Sequence, residues 1–296
     1  MALWRHEPLT AARVVRHSSA QRFLAGALPL LERDIAAYGG LVAWARGLPS
    51  KAGKTADPAW FWTVRDQSRV AGFGMQRAHG PVVIGHSDPG AAAVLAESLA
   101  NRRHSVSGVI GSAEACAAFA TVWDRLTGSA SRQRFHFRNY TLTRVPAITA
   151  VPGTARPAMP GDIDLLVAWS GAFFDDVRVP DEKVGLRAVT TNHVAEGTVW
   201  IWHDGRPRAS VGFVRIDASN ARIVSVYAPP ENRGRGYAKA LTAHVAAMLM
   251  GKGCTRVHLT ADCANPVANG LYASLGFRSA GEHFRYDFGP RSAPER

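Results

Sequence analysis

The stretch RGRGYA, residues 233–238, lies between a β-rich run and an Ala-rich amphipathic run, and it decides the fold of the chain's C-terminal half. Upstream, residues 222–227 alternate polar and apolar types, which predicts a strand, and two prolines then end it. Downstream, apolar residues recur at helical spacing through residues 238–249 before two glycines stop the helix. Because an anion at a helix start needs free backbone N–H groups, Gly234 and Gly236 predict an anion-binding loop.

Two common phosphate loops do not fit this stretch. A Walker loop requires G-x-x-x-x-G-K-[ST], which the chain lacks, and a dinucleotide fingerprint requires a third glycine where the chain has Lys239. The pattern that remains is R-x-x-G-x-A, formed by Arg233, Gly236 and Ala238. It resembles the pyrophosphate loop of the GNAT superfamily of acyl-CoA-dependent N-acetyltransferases.

A second block, which follows a predicted strand at residues 257–261, makes the resemblance specific. It is similar to the second GNAT signature, N-x-x-A-x-x-x-Y-x-x-x-G-F. The matching residues are Asn265, Ala268, Tyr272, Gly276 and Phe277. The resemblance covers residues 155–288 and implies an enzyme that uses acetyl-CoA as acyl donor for an amine acceptor.

The resemblance also implies roles for individual residues. The strand before the loop would align the pantetheine arm, the loop amides would bind the pyrophosphate, and Tyr272 would protonate the leaving thiolate. The residues predicted to bind the cofactor are Val224, Ser225, Val226, Arg233, Gly234, Arg235, Gly236, Tyr237, Ala238, Lys239 and Asn265. Each has a plainer interpretation: Tyr272 as a packing tyrosine beside Phe277, Asn265 as a helix cap, and the arginines as surface charges.

The general base is less defined, because the family often removes the amine proton through water. The candidates by residue type are Glu196, Asp175, Asp176, His193, His203 and Asp262. We favour Asp262, at a predicted strand end, and His203. In the strand at residues 198–203, tryptophans alternate with aliphatic residues, so that one pair faces the core and the other pair either lines an acceptor pocket or packs in the sheet.

Proline and glycine cluster at residues 146–161, which predicts a boundary between domains at 1–150 and 151–296. After this seam, residues 156–158 resemble the first GNAT strand, with Asp162 as N-cap of an apolar-faced helix, and a second helix is expected over 181–193. The predicted fold is α/β: a tandem GNAT-like fold with a mixed, mostly antiparallel sheet flanked by helices. Its layout is similar to that of two-part bacterial GNAT proteins and glycine N-acyltransferases.

The N-terminal half is expected to be a degenerate GNAT-like unit. Strands are predicted at 60–64, 70–75, 105–110 and 135–145, with helices at 91–100 and 114–126. Before the first of these helices, residues 87–90 read Ser-Asp-Pro-Gly, which places an acid where a phosphate would sit. We therefore expect no cofactor in this half.

The composition of the chain also argues against several other classes of protein. The 296 residues are 47% hydrophobic and carry a formal charge of +12, but the basic residues are mostly arginines scattered without a run, so we expect no nucleic-acid partner. No apolar run approaches the roughly 20 residues of a membrane span. The apolar stretch at 23–31 faintly resembles a targeting segment, but Pro29 and the following acids favour a first helix. Three scattered cysteines indicate neither a disulfide framework nor a metal site, and they favour the cytoplasm.

The sequence therefore predicts a cytoplasmic N-acyltransferase that moves an acetyl group from acetyl-CoA to a primary amine of a small molecule, amino acid or peptide. One alternative is a longer acyl group, delivered by CoA or by an acyl carrier protein. Another is a non-catalytic acyl-CoA sensor or nucleic-acid-binding protein that keeps the cofactor fold. We expect a monomer or homodimer, since a second GNAT-like half can replace a partner subunit.

Overall fold

Residues 9–48, 59–78, 80–85, 87–146, 150–178 and 185–290 are described by a computed structural model of the chain. They fall into two units. The first comprises Met1–Asn139, Asp262–Ala264 and Gly281–Arg296, and the second comprises Tyr140–Ala261 and Asn265–Ala280. Two short segments from the C-terminal part of the chain thus belong to the first unit. The predicted division into 1–150 and 151–296, which follows chain order, stays a prediction.

The described residues form twelve strands and eight α-helices. The strands are β1 (Ala12–His17), β2 (Ala59–Asp66), β3 (Arg69–Arg77), β4 (Val82–Gly85), β5 (Gly108–Gly111), β6 (Ser129–Leu142), β7 (Thr154–Pro157), β8 (Val199–Asp204), β9 (Arg206–Arg215), β10 (Asn220–Tyr227), β11 (Arg256–Asp262) and β12 (Arg278–Pro290). The helices are α1 (Ala20–Glu32), α2 (Ile35–Gly47), α3 (Pro89–Asn101), α4 (Ala113–Thr127), α5 (Ile163–Asp176), α6 (Leu186–Ala195), α7 (Tyr237–Gly251) and α8 (Pro266–Ser274).

The first unit is a sheet with helices on both faces. Its strand order is β1-β2-β3-β4-β5-β12-β6, with β4 and β5 parallel. Side chains alternate across the sheet, so Trp62 and Val64 of β2 pack with α3 and α4, while Phe61 packs with α1 and α2. Each face of the sheet therefore carries its own hydrophobic core.

The second unit is built in the same way around β10. Its strands run in the order β11-β10-β9-β8-β7, and only the β10–β11 pair is parallel. On one face Trp202 of β8 packs in the core that holds Leu241 and Val245 of α7. On the other face Ile201 packs with Leu166 of α5 and Val194 of α6. The alternation predicted for residues 198–203 is confirmed, and the tryptophans lie on the α7 side.

Most predicted elements are confirmed, including α1 over the apolar stretch at 23–31, with Pro29 inside the helix. Four elements had no prediction: β1, α2, β4 and β12. The first residues of the predicted second helix, 181–184, lie outside the described residues. Taken over the described part of the chain, no helix is long and apolar enough to cross a bilayer.

Asp162 is the N-cap residue of α5, as predicted, but its side chain makes no bond to the first turn of that helix. Its carboxylate instead receives two bonds from the Arg156 guanidinium, at 2.7 and 2.8 Å, and one from the Met159 N–H at 2.8 Å. The hydrogen-bonded Arg156 guanidinium lowers the pKa of Asp162. The two parallel bonds to a guanidinium occupy both carboxylate oxygens, which explains why the side chain does not cap the helix.

Candidate active site

The start of α7 leaves a row of backbone N–H groups free. Gly234 and Gly236 have φ of 73° and 81°, a left-handed conformation that suits glycine. Gly236 is the N-cap residue, no side chain caps the helix, and the first backbone bond runs from the Ala240 N–H to the Gly236 carbonyl at 2.9 Å. Among the described residues, nothing accepts a hydrogen bond from the N–H groups of residues 234–239. Such a row, at the positive end of a helix dipole, suits a phosphate group.

The basic side chains of this loop differ in how they are held. Arg233 forms an ion pair with Asp176 of α5 at 2.6 Å and also donates to the Ala228 carbonyl at 3.0 Å. Arg235 and Lys239 make no hydrogen bond or ion pair with any described residue. The guanidinium of Arg233 therefore fixes the loop against α5, while the two other cations are available to a ligand.

The strand that leads to this loop is bulged. In the β9–β10 pair, Val224 lies opposite Gly212 and Tyr227 opposite Ser210, so β10 carries one extra residue between these two positions. Ser225 within the bulge has φ of 50°, a strained conformation for a residue other than glycine. A bulge of this kind turns backbone groups out of the ladder. No sequence signal marks the strain, because serine is ordinary in a strand.

The other edge of β10 opens away from β11. The parallel pairing covers only Asn220–Arg222 against residues 256–258, although β10 continues to Tyr227 and β11 to Asp262. Among the described residues, residues 223–227 therefore have no strand partner on that side. An extended ligand can use such an edge as a strand would, through main-chain hydrogen bonds.

Tyr272 lies buried on α8. Its ring is 6.0 Å from that of Tyr140 and 5.9 Å from that of Phe277. Burial raises the pKa of the Tyr272 hydroxyl, and Tyr140 adds to the shift. The hydroxyl bonds to no other described residue, whereas Tyr140 donates to Asn269 Oδ1 at 2.6 Å. Tyr272 thus packs as a core residue and still holds a proton that is free to be donated.

Asn265 caps α8, as one of its two interpretations predicted. Its Oδ1 accepts from the Ala268 N–H at 3.0 Å, and its carbonyl accepts from Asn269 Nδ2 at 2.6 Å. Neither bond involves the side-chain amide nitrogen of Asn265. A role toward a cofactor stays a prediction.

The two favoured base candidates lie in separate places. Asp262 ends β11, belongs to the first unit, and accepts from the Ala264 N–H at 2.9 Å. His203 lies on β8 opposite Thr154 and contributes, after Arg156, to the low pKa of Asp162. Neither residue lines the cavity described next, and their catalytic roles stay predictions.

An apolar cavity of about 100 Å³ lies between α5, α6 and the bulged part of β10. Aromatic side chains form much of its wall, and Val224, Ser225 and Gly212 form the part contributed by the sheet. The main aromatic residues are Trp169, Phe173, Phe174 and Tyr227. His193 is the sole lining residue among the described ones that ionises near neutral pH. The sequence placed Phe173 on an apolar helix face and His193 among several base candidates, but it did not bring them together.

A cluster in the first unit has metal-ligand chemistry. Ligand atoms of His136, Cys263 and Glu282 lie within 4.8 Å of one another. The Glu282 carboxylate already bonds to His136 Nε2 at 2.7 Å and to the Arg138 guanidinium at 2.8 and 2.9 Å. Since a guanidinium beside the carboxylate repels a second cation, we assign this cluster to an ion-pair network. The prediction of no metal stays a prediction.

The chain is similar to known proteins at two levels. A family model described as Acetyltransferase (GNAT) family matches residues 165–277. That range contains the anion loop, the bulged strand and Tyr272. It also contains the whole wall of the apolar cavity.

Solved structures of similar fold span nearly the whole chain. A GCN5-related N-acetyltransferase from Sphaerobacter thermophilus has a TM-score of 0.60 at 17% identity, covering 92% of this chain and 94% of that one. A GNAT acetyltransferase from Colwellia psychrerythraea has a TM-score of 0.57 at 15% identity, covering 94% and 100%. A tandem GNAT protein from the clavulanic acid biosynthesis pathway has a TM-score of 0.57 at 15% identity, covering 96% and 100%.

The two-part GNAT fold is thus shown over most of the chain, and the family signature lies in its second half. The free amides at the start of α7 and the splayed pair β10–β11 fall inside the matched range. Residues 165–277 match the GNAT acetyltransferase family, and the chain shares its fold with solved GNAT proteins.

Proposed function

We propose that this protein transfers an acetyl group from acetyl-CoA to a primary amine. The observation that carries the proposal is the row of free N–H groups at residues 234–239, next to the unpaired edge of β10. The first feature suits a diphosphate, and the second suits an extended amide-containing arm such as pantetheine. Few ligands require both features side by side.

The chain's residues fit this donor without rearrangement. The amides of residues 234–239 and the cations of Arg235 and Lys239 would hold the pyrophosphate, while Arg233 keeps the loop in place through Asp176. The edge of β10 from Val224 to Val226 would bond the pantetheine arm. When bound, acyl-CoA supplies the thioester. Held in this way, the donor would present its acyl group to the bulge at Ser225.

Two protons have to move during the reaction. The amine must lose a proton to become nucleophilic, and the departing sulfur must gain one. Tyr272 is suited to the second task, because burial keeps its hydroxyl protonated and no described residue competes for the proton. Asn265 would orient the donor from the free nitrogen of its side chain.

The proposal is tested by binding and by product mass. Isothermal titration of the purified protein with acetyl-CoA should give one site, and desulfo-CoA, which lacks the thiol, should still bind. A mass-shift screen of amines with acetyl-, propionyl- and butyryl-CoA, and with an acetylated carrier protein, should show the gain of one acetyl group. Binding without any acylated product would favour a sensor, and absence of binding would overturn the proposal.

A further inference from the structure

The apolar cavity of the second unit has a wall composition that selects its occupant. Among the described residues that line it, none is Asp, Glu, Lys or Arg. Its volume of about 100 Å³ is smaller than the roughly 150 Å³ of a dry cavity that holds benzene. Such a space accepts a short aliphatic group and disfavours a second charge, which would lose its hydration there.

His193 contacts the Thr198 hydroxyl from this cavity wall. The hydroxyl oxygen lies 3.1 Å from the His193 carbonyl oxygen and 2.8 Å from His193 Nδ1. When the single hydroxyl proton is donated to the carbonyl, Nδ1 carries the hydrogen of the second bond. The neutral ring then has its lone pair on Nε2. No described residue bonds to Nε2.

His193 lies in the last turn of α6 and is the sole histidine among the described residues of the cavity wall. The carboxylate candidates compare poorly: Asp176 is paired with Arg233, and neither Asp175 nor Glu196 lines the cavity. Tyr227, the other titratable residue of the wall, has a pKa raised by burial and keeps its proton.

We infer that the cavity takes the apolar part of a short alkylamine acceptor and that His193 Nε2 removes the proton from its ammonium group. This inference rests on the proposed function and names the acceptor class of that same site. An acyl chain would also find an apolar wall here. A proton acceptor in the wall, however, serves an amine and has no task beside the methyl end of an acyl group.

The protons and bonds balance as follows. One proton passes from the ammonium group to Nε2, which leaves a neutral amine and an imidazolium. The nitrogen pair forms the carbon–nitrogen bond as the carbon–sulfur bond breaks, and that bond's electron pair leaves with sulfur. The nitrogen then loses a second proton to water while the sulfur gains one from Tyr272. His193 and Tyr272 return to their starting states by exchange with solvent, with one proton released overall.

The acceptor class is tested with matched amines. Ethylamine, propylamine and butylamine should show kcat/KM rising by about fourfold per methylene, the value expected for burial of one such group. Putrescine, which has the chain length of butylamine and a second ammonium, should react at least about tenfold more slowly. Val189→Phe, at the half-exposed rim of the cavity, should remove the gain from lengthening, whereas Leu126→Phe on α4 should not.

The role of His193 is tested without relying on activity alone. In the free enzyme, ¹⁵N NMR of labelled histidine should show His193 with its proton on Nδ1, and Thr198→Val should disturb this tautomer. His193→Asn keeps a donor toward Thr198 but lacks Nε2, so kcat should fall about 100-fold while acetyl-CoA affinity is unchanged. Added imidazole should restore part of the activity of His193→Ala.

The outcomes separate this inference from the proposed function. If acetyl-CoA binds and other amines are acylated, but the alkyl series is flat or only longer acyl groups are favoured, the acceptor assignment is overturned. A proton on Nε2, or an unchanged kcat in His193→Asn, overturns the role of the histidine. If no amine is acylated by any donor, both the inference and the proposed function fail.

Discussion

The starts of α7 and α3 occupy corresponding places in the two units, but their N-cap residues are chemically different. Each helix joins a pair of parallel strands, β10 and β11 in one unit and β4 and β5 in the other. The start of α7 has Gly236 as its cap and leaves its amides free. The start of α3 has Asp88, whose carboxylate accepts from the Gly90 N–H at 2.8 Å. A single side chain thus fills the position that a ligand phosphate would take.

The parallel strand pairs beside these helices also differ between the two units. The β4–β5 pair stays hydrogen-bonded to its end, where Gly85 pairs with Gly111 after a one-residue shift in register. A Cβ added to Gly111 would lie 2.8 Å from Ile84 Cγ1, so little space remains at this point. In contrast, β10 and β11 separate after three paired residues. The N-terminal unit therefore lacks both the open loop and the open strand edge.

The helices that follow the second strand of each pair, α8 and α4, differ by one hydroxyl at their seventh residue. Tyr272 is the seventh residue of α8, and Phe119 is the seventh residue of α4. Both are buried. The fold thus tolerates an open or a capped helix start, an open or a closed strand pair, and Tyr or Phe in the following helix. The features suited to a donor are therefore separable from those that stabilise the unit.

Gly236→Asp converts the open loop into the closed form and should have the largest effect. A carboxylate about 4 Å from a phosphate charge costs about 4 kcal/mol at an effective dielectric of about 20, which predicts a loss of acetyl-CoA affinity of at least about 100-fold. Isothermal titration measures this loss. Asp and Asn both tolerate positive φ, so Gly236→Asn is the matched control for shape and should bind clearly better than the Asp variant. Retained affinity in the Asp variant would remove the loop from the site.

Tyr272→Phe makes α8 resemble α4 and should lower kcat by about 100-fold with acetyl-CoA affinity within about twofold. Because burial raises the pKa of Tyr272, its hydroxyl stays protonated at neutral and mildly alkaline pH, and the deficit should be the same at pH 7 and pH 9. Steady-state kinetics at both values, with binding measured separately, checks this result.

The control for this variant is Tyr140→Phe, which removes a neighbouring hydroxyl that bonds to Asn269. It should cost about 1 kcal/mol of unfolding free energy and little turnover. Equal losses of kcat and affinity in Tyr272→Phe would make that tyrosine a packing residue.

Asp88→Gly opens the start of α3 and should have the smallest effect. Replacing an N-cap aspartate by glycine costs only about a few tenths of a kcal/mol, which urea unfolding can measure against the larger cost of about 1 kcal/mol for Asp88→Ala. We expect acetyl-CoA stoichiometry to stay at one, because β4 and β5 remain paired. A second binding site in this variant would show that the cap alone separates the two units.

Local chemistry explains which parts of the fold were predictable. The loop at 233–238 and its flanking strand and helix follow from glycine, proline and hydrophobic period, all of which act within a few residues. β1 and β12 were missed, and β12 alternates over residues 278–290 with partners far away in sequence. Asp162 holds the predicted N-cap position, but its carboxylate bonds to Arg156 and not to the helix.

The sequence by itself predicted the GNAT resemblance, the candidate anion loop, the candidate acid Tyr272 and the acid at the start of α3, because each depends on residue type at a short, fixed spacing. Only the tertiary structure placed His193 in an apolar wall with Phe173 and Ser225, and only it showed β10 parting from β11. These features depend on how distant segments pack. Packing brings together residues that are far apart in the chain, and their residue types alone do not predict these contacts.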